Sequence, residues 1–356
     1  MRLADASSFV SLSYNRAVND VGSLTLTLPE TFPTQYIIAP DGRIEVWRKL
    51  DTGREYLDTE TTWLIKKVTT DRDDSGRVTL AIDADTPLGI LREPGRFVNY
   101  AAGTANASVT AAYDDAIKAV ARTNIGSTAG ASRDLSALIS IAADLGLAPS
   151  GSKSFAWRDC LKVMQELANS SAQEGVYLAF DIAATTQSTF EFRTYIQQRG
   201  VDHRFPGGMN PVILSPEFGN IGACTLSTDW RQEVTFALAG GRGEGADRLT
   251  ASDQDDVRIG LSPFGLREKF VNSTQYETTT GLAAEASAVV RQSRPRTLFR
   301  GKILDVPGTR YGVQWAWGDY VTVQAFGQSF DARIDAVEVK VERGKETITA
   351  WVRGDL

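Results

Sequence analysis

The chain has 356 residues and a net charge of −6, and its mean hydropathy of −0.20 is typical of a soluble globular protein. At roughly 150 residues per domain, this length predicts two or three domains. The acidic balance disfavours nucleic-acid binding, which needs clustered Lys and Arg, and the apolar runs are too short to span a bilayer. The first ten residues, MRLADASSFV, lack an apolar signal core, so we expect no secretion signal.

Residues 1–95 have the pattern of β-structure. Leu24, Leu26 and Leu28 alternate with threonines, which is the period of a half-buried strand. Further strands are predicted at 43–49, 63–68 and 78–82, with the turn Asp73-Asp74-Ser75-Gly76 between the last two. Strands at this spacing predict a small barrel or sandwich.

Residues 96–211 predict an α/β insert. Helices are expected at 108–122, at 133–145 and, most clearly, at 155–170, where Trp157, Leu161, Met164 and Leu167-Ala168 would form one apolar stripe. Strands are expected at 176–182 and 189–196. The stripe is interpreted as core and not as a cofactor site.

After this insert, apolar runs at 212–214 and 235–239 end at Ser215-Pro216 and at Gly240-Gly241. The β pattern resumes from residue 246, with a predicted helix near 278–294. Strands are then predicted at 297–303, 320–326, 332–342 and 346–352, the last two joined by a turn at Arg343-Gly344-Lys345. We interpret 246–356 as a second small barrel and expect residues 212–245 to complete the first.

The sequence offers little for catalysis. His203 is the single histidine, which excludes multi-histidine metal sites, and no GxSxG motif is present. The glycine cluster at 240–248 lacks the Lys and Ser/Thr of a phosphate-binding loop. The acidic clusters at 71–74 and 253–256 fit a Ca²⁺ loop poorly. We therefore predict no catalytic, cofactor-binding or metal-binding residues and no cofactor. Cys160 and Cys224 are expected to be free thiols, and a disulfide between them is the alternative.

Several short elements occur in a fixed order. They are Gly200-Val201-Asp202-His203-Arg204, Ser215-Pro216-Glu217-Phe218-Gly219-Asn220, a glycine-rich element at 241–248, a charged element at 267–271, and Gly318-Asp319-Tyr320-Val321-Thr322-Val323. In this order they resemble the tail-tip hub proteins of long-tailed phages, which are related to the baseplate hub of contractile phages. The resemblance covers residues 155–356 well and the N-terminal segment only by general character. His203 interrupts the usual Asp-Arg pair.

The resemblance implies an α+β, mainly β fold with two tube-like small β-barrels and an inserted α/β region. It implies a structural virion protein that is not an enzyme, located at the tail tip after synthesis in the host cytoplasm. The expected assembly is a homotrimer whose ring extends the tail tube and leaves a channel for DNA ejection. The expected partners are a distal tail protein or tail tube ring, the tape measure protein, and tail fibres or spikes. DNA would pass without specific binding, and no stable membrane insertion is expected.

Two other functions stay open. A receptor- or glycan-binding tail module could use aromatic side chains as stacking platforms, and the densest candidate cluster is Tyr311, Trp315 and Trp317. Core packing explains the same residues, because aromatic side chains dominate cores and subunit contacts. A tail-associated peptidoglycan hydrolase would need only two carboxylates, which an acidic chain always supplies.

Overall fold

The structure, a computed structural model, describes residues 8–29, 39–50, 53–99, 107–155, 157–274 and 278–355. Over these ranges the chain is mainly β, with twenty strands and four α-helices. The strands are β1 Ser11–Ala17, β2 Ser23–Pro29, β3 Arg43–Lys49, β4 Glu55–Arg72, β5 Val78–Asp85, β6 Ala107–Ala112, β7 Ile139–Ile141, β8 Ser150–Phe155, β9 Leu178–Ala184, β10 Phe190–Ile196, β11 Asp202–His203, β12 Ile213–Leu214, β13 Ile221–Asp229, β14 Phe236–Gly240, β15 Thr250–Gln254, β16 Glu268–Asn272, β17 Arg296–Ile303, β18 Tyr320–Ala325, β19 Gln328–Glu342 and β20 Lys345–Asp355. The helices are α1 Tyr113–Ile125, α2 Cys160–Gln173, α3 Asp256–Gly260 and α4 Thr279–Gln292, with short 3₁₀ turns at Pro87–Leu91 and Gly245–Asp247.

The main sheet joins the first and the last β segments of the chain. Its strand order is β13-β17-β20-β19-β1-β2-β5-β4-β3, and the short strands β11 and β12 pair with β18, which pairs with β19. The junction is the antiparallel pair β1–β19, which runs in register from Ser11 opposite Glu342 to Ala17 opposite Ala336. The two β segments, predicted as separate, are therefore hydrogen-bonded into one sheet.

Strand β19 pairs with two different strands along one of its edges. Its residues 328–333 pair with β18 and its residues 336–342 pair with β1, while β20 follows the opposite edge. The register shifts between Ile334 and Ala336, as expected for a bulge that bends a long strand. The strand therefore changes partner at this bulge.

The α/β insert has its own core. Helices α1 and α2 cover a small sheet with the strand order β7-β10-β9. Ile117 and Val120 of α1 and Leu161 and Met164 of α2 are buried in this core. Phe180 and Phe192 stack in this core with ring centroids 6.2 Å apart. Leu64, Leu88 and Leu91, which precede the insert in the chain, belong to the same core. The expected stripe of α2 is confirmed as core, with the exception of Trp157.

The chain divides into two compact units. The first comprises Met1–Ser171, Val176–Thr225 and Arg300–Gly354, and the second comprises Ala172–Gly175, Leu226–Phe299 and Asp355–Leu356. In the second unit, the sheet β15-β14-β16 packs on α4 through Ala237, Ala239, Leu282, Ala286 and Val290. Thr278 caps α4 by accepting a hydrogen bond from the Gly281 amide at 3.2 Å.

These units differ from the expected division at 95, 211 and 245. Residues 226–299 form a unit of their own, although the sequence assigned 246–299 to the second β segment. The run 212–245, expected to complete the first β segment, pairs elsewhere, because β12 lies beside β18 and β13 lies beside β17. Sequence periodicity predicted the strands, but it contains no information about which distant strand each one joins.

Three helix predictions in the insert need correction. Residues 108–112, expected as the start of a helix, belong to β6, because Val109 and Thr110 favour a strand opposite β8. The helix expected at 133–145 is absent from the structure. Asp134 accepts a hydrogen bond from the Ser136 amide, which competes with a helix, and Ile139 pairs with β10.

The third correction concerns the start of α2. Asp159 accepts a hydrogen bond from the Lys162 amide at 2.8 Å, so the helix begins after this capping residue. Trp157 therefore lies before the helix, in the left-handed region with φ of 50°, and is 57% exposed. It is not part of the buried stripe to which the sequence assigned it.

Candidate functional site

The structure brings together motifs that are more than one hundred residues apart in the sequence. Strand β11, from the motif at 200–204, runs parallel to β18, from the motif at 318–323, with Asp202 opposite Tyr320. The Gly200 amide donates to the Gly318 carbonyl at 2.8 Å, and the Val201 amide donates to Asp319 Oδ1 at 2.7 Å. The two motifs therefore form one structural element within the first unit.

Asp319 is the centre of this element. Its side chain is 3% exposed, and its second oxygen, Oδ2, accepts from the Ala316 amide at 2.6 Å and lies 3.5 Å from Nε2 of His203. Burial raises the pKa of Asp319, while the two backbone N–H donors and His203 act in the opposite direction. Both carboxylate oxygens are occupied by backbone donors, so this acid holds loops in place.

His203 and its neighbours also have structural partners. His203 Nδ1 contacts the Met209 carbonyl oxygen. Asp202 and Arg204, on either side of His203, form an ion pair at 2.8 Å, and Arg204 lies over the Tyr320 ring. The two charged side chains therefore meet although His203 separates them in the sequence.

The motif at 215–220 joins the same region through Asn220, which is buried. Asn220 Oδ1 accepts from the Ser215 amide at 2.7 Å, and its Nδ2 donates to the Ile213 carbonyl at 2.8 Å and to Thr309 Oγ1 at 3.2 Å. One side chain thus closes the turn between β12 and β13 and ties it to the loop before β18.

Gly200 provides a direct test of this close packing. A Cβ at position 200 would overlap Asp319 Oδ1 and lie 2.8 Å from the Asp319 amide nitrogen. We expect Gly200→Ala to lower the free energy of unfolding by about 1–3 kcal/mol through overpacking, measured by urea denaturation. The matched control is Gly222→Ala, whose nearest neighbour would be an ordinary contact at 3.4 Å. Equal stability of the two variants would contradict this role for Gly200.

The two remaining motifs meet within the second unit. The Arg248 guanidinium donates to the carbonyls of Gly240 and Gly241, contacts Asn272 Oδ1 and lies over the Phe270 ring. This arrangement fixes the glycine-rich turn against β16. Glu233, whose side chain is 5% exposed, pairs with both Arg258 and Arg267. The glycine-rich loop therefore has a structural explanation that needs no bound phosphate.

An open depression of about 720 Å³ lies beside the His203 element in the first unit. His203, Pro211, Phe218, Pro307, Val313 and Gln314 are among its lining residues. Phe218 and Val313 are more than half exposed, although both are apolar. We call this feature the Phe218 depression.

The first unit contains a buried charge cluster that was not predicted from the sequence. Asp181 of β9 pairs with Arg16 of β1 at 2.7 Å and with Arg199 at 3.1 Å, and all three side chains are at most 7% exposed. Both guanidinium groups lie over the Trp317 ring, at 4.2 and 4.3 Å from its centroid. The cluster links the main sheet to the insert. In the sequence, each of these positions places a charged residue where the pattern predicts an apolar one. Arg16 follows Leu12 and Tyr14 at the same strand period, and Asp181 stands between Phe180 and Ile182.

The aromatic residues considered for glycan stacking are buried. Tyr311, Trp315 and Trp317 are at most 4% exposed, and the Trp315 indole donates to the Thr309 carbonyl at 2.9 Å. The interpretation of these residues as core is confirmed. An exposed aromatic pair lies elsewhere, where Phe97 and Trp157 meet edge to face with centroids 5.5 Å apart.

The remaining chemical candidates are accounted for by local structure. Cys160 and Cys224 are free, and burial raises the pKa of the Cys160 thiol to about 12, so it stays protonated. In the described ranges, no group of three or more His, Cys, Asp or Glu side chains is placed to hold a metal ion. The helices in these ranges are too short or too polar to cross a membrane. Asp255, from the acidic cluster at 253–256, caps α3 by accepting from the Arg258 amide.

Solved structures define the class of this fold. The prophage MuSo2 43 kDa tail protein from Shewanella oneidensis matches with a TM-score of 0.52 and 13% identity over 97% of this chain and 94% of that chain. The tail protein from Neisseria meningitidis MC58 matches with a TM-score of 0.54 and 13% identity over 97% and 92% of the two chains. Prophage tail protein gp18 from Listeria monocytogenes EGD-e matches with a TM-score of 0.50 and 12% identity over 98% and 89%. The fold is therefore that of phage tail proteins.

The family follows from the sequence itself. Residues 2–352 match the model of the Siphovirus ReqiPepy6 Gp37-like protein family, and the chain belongs to that family. No curated protein sequence matches the chain.

Proposed function

We propose that this chain is a structural virion protein of a phage tail and acts as the tail-tip hub. Three copies form a ring that extends the tail tube and leaves a channel for DNA ejection. The observation that carries the proposal is the fold shared with phage tail proteins along almost the whole chain, together with membership of a siphovirus family. The ordered motifs support it further, because their main role in the structure is to hold loops and strands.

The tube-like parts of this hub are proposed to be the two halves of the main sheet. Strands β1–β5 form the first half, and β17–β20 with the short strands beside β18 form the second. Two tube-like halves in each of three chains would supply six modules, which matches the sixfold symmetry of a tail tube. Closure of each half into a small barrel is part of the proposal.

The acidic balance of the chain suits a channel that DNA must leave quickly. A net charge of −6 repels phosphates, whereas a basic wall would retain DNA through counterion release. The proposed neighbours are a distal tail protein or tube ring, the tape measure protein, and fibres or spikes. We propose that the protein has no enzymatic activity, and a zymogram against host cell walls tests this directly.

The decisive experiment measures the mass of the purified protein by light scattering over a concentration series, followed by imaging. We expect a species of three times 38.7 kDa with a central channel. Antibody labelling of virions of the encoding phage should place the chain at the tail tip. Labelling along the tail or on the capsid would contradict the hub proposal, whatever the mass in solution.

A receptor- or glycan-binding tail module is the second candidate. It is favoured by the exposed pair Phe97 and Trp157, with the Arg133 guanidinium 5.1 Å from the Phe97 ring centroid. Trp157→Ala should abolish binding to host cells if this candidate is correct, while leaving the mass of the assembly unchanged.

A further inference from the structure

The second unit displays an apolar loop, which we define as residues Leu261–Leu266. Its Phe264 is 84% exposed and Leu261 is 79% exposed, the two highest values among the large hydrophobic side chains in the described ranges. Val257, one turn earlier in α3, is 77% exposed. Single exposed apolar residues are ordinary, but a contiguous exposed group indicates an interaction site.

The apolar loop is held in a defined conformation. The Gly265 carbonyl accepts from the buried hydroxyl of Thr235 at 2.7 Å, and the same hydroxyl accepts from the Arg267 amide at 2.8 Å. The Gly265 amide donates to the Ser262 carbonyl, and a Cβ at position 265 would overlap the Ile259 carbonyl oxygen. Phe264 is thus presented by a fixed loop, which lowers the entropy lost on binding.

The apolar loop is also electrically neutral. It contains no ionisable side chain, and the arginines on either side, Arg258 and Arg267, are both paired with Glu233. A partner surface for this loop should therefore be apolar and uncharged, because an unpaired charge would be desolvated at a cost.

The first unit carries an almost uncharged surface that offers exposed apolar side chains among polar ones, the Phe218 depression. Its lining contains apolar Phe218, Val313 and Pro307, and among its lining residues only His203 is ionisable. Its volume of about 720 Å³ exceeds that of one aromatic side chain. Phe218 and Val313 remain 62% and 57% exposed, so apolar surface is available for burial.

We propose that the apolar loop of one copy inserts Phe264 into the Phe218 depression of a second copy. The inference rests on the proposed ring and names its subunit contact. Both surfaces belong to one chain and are unlike each other, so the contact is heterologous, the kind that closes rings. Each copy carries a charge of −6, so copies repel over most of their surface and associate best through neutral patches.

The first test replaces Phe264 with aspartate. We expect Phe264→Asp to weaken self-association by at least about tenfold in light scattering, because it places a charge in an apolar contact. The melting temperature should stay unchanged, since the side chain is exposed. The matched control is Trp47→Asp, a large aromatic residue of β3 that is 55% exposed and lies outside both surfaces.

The second test detects the contact itself by cross-linking. In a Cys224→Ser background, where Cys160 stays buried, a Phe264→Cys copy is mixed with a Val313→Cys copy of different tag length. We expect mild oxidation to give a mixed disulfide dimer. A mixture of Phe264→Cys with Trp47→Cys should give none.

The outcomes separate this inference from the hub proposal. A wild-type trimer that persists in Phe264→Asp overturns the inference and leaves the hub intact. Absence of the mixed dimer, including for a protein that stays monomeric, also overturns it, while virion labelling decides the hub. If Phe264→Asp keeps the trimer but is missing from virion tails, the loop binds another tail protein and the inference is wrong.

Discussion

Replacing Asp181 with asparagine is expected to destabilise the first unit by about 3–5 kcal/mol at neutral pH. Asparagine fits the same space but removes the carboxylate that contacts both buried arginines, Arg16 and Arg199. The Arg16 guanidinium would then remain buried without its carboxylate partner, and Arg199 would keep its pair with the exposed Glu60 carboxylate, at 3.3 Å. The measurement is urea denaturation followed by tryptophan fluorescence.

The control for this prediction is Glu55→Gln, which removes one partner of an exposed ion pair with Lys49 and should have no measurable effect. A second substitution supplies the sharper test. Adding Arg16→Met and Arg199→Met to Asp181→Leu removes all three charges and should recover most of the lost stability. If the triple variant is as unstable as Asp181→Asn, packing and not charge explains the loss.

The pH dependence of stability should report the same cluster. Burial raises the pKa of Asp181, but Arg16 and Arg199 lower it more, so its pKa lies below the ordinary value. A carboxylate with a lowered folded-state pKa contributes stability above its unfolded pKa, near 3.9 for aspartate, and loses that contribution as pH falls through the folded value. The difference between wild type and Asp181→Asn should therefore be constant near neutral pH and shrink in acid.

Replacing Asp319 with asparagine is expected to cost about 1–3 kcal/mol, although the two side chains have the same shape. Both oxygens of Asp319 accept backbone N–H groups, from Val201 at 2.7 Å and from Ala316 at 2.6 Å. Asparagine has one acceptor and one donor, so its NH₂ group must face a backbone N–H group. One buried donor is then left without a partner.

Asp83→Asn is the matched control for this prediction. Asp83 accepts one hydrogen bond, from Thr25 Oγ1 at 2.9 Å, through an oxygen that asparagine can supply. The control should unfold at the wild-type urea midpoint. If Asp319→Asn also unfolds at that midpoint, the carboxylate is not the clamp that joins the two motifs.

Local patterns in the sequence predicted the local structure well. The alternation of Leu24, Leu26 and Leu28 is the buried face of β2, and the turn at Arg343-Gly344 joins β19 to β20 with both residues at positive φ. The helix near 278–294 is confirmed as α4. In each case the information lies within a few neighbouring residues.

Long-range relations could not be predicted in the same way. Asp181 and Arg16 are separated by 165 residues, and no local pattern shows that they meet. The motifs at 200–204 and 318–323 were recognised separately, but their pairing depends on the parallel alignment of β11 with β18. The predicted helix at 133–145 failed because tertiary pairing of Ile139 outweighed helical propensity.

The pairing of β1 with β19 has a consequence for synthesis. During translation, β1 emerges more than three hundred residues before its partner strand β19. The edge of β1 that pairs with β19 therefore stays unpaired with it until the last part of the chain leaves the ribosome. Such long sequence separation slows folding, and an open strand edge invites pairing with other chains. Yield during infection should therefore depend on holding nascent chains apart, and a chain truncated before residue 328 should aggregate where the full-length chain folds.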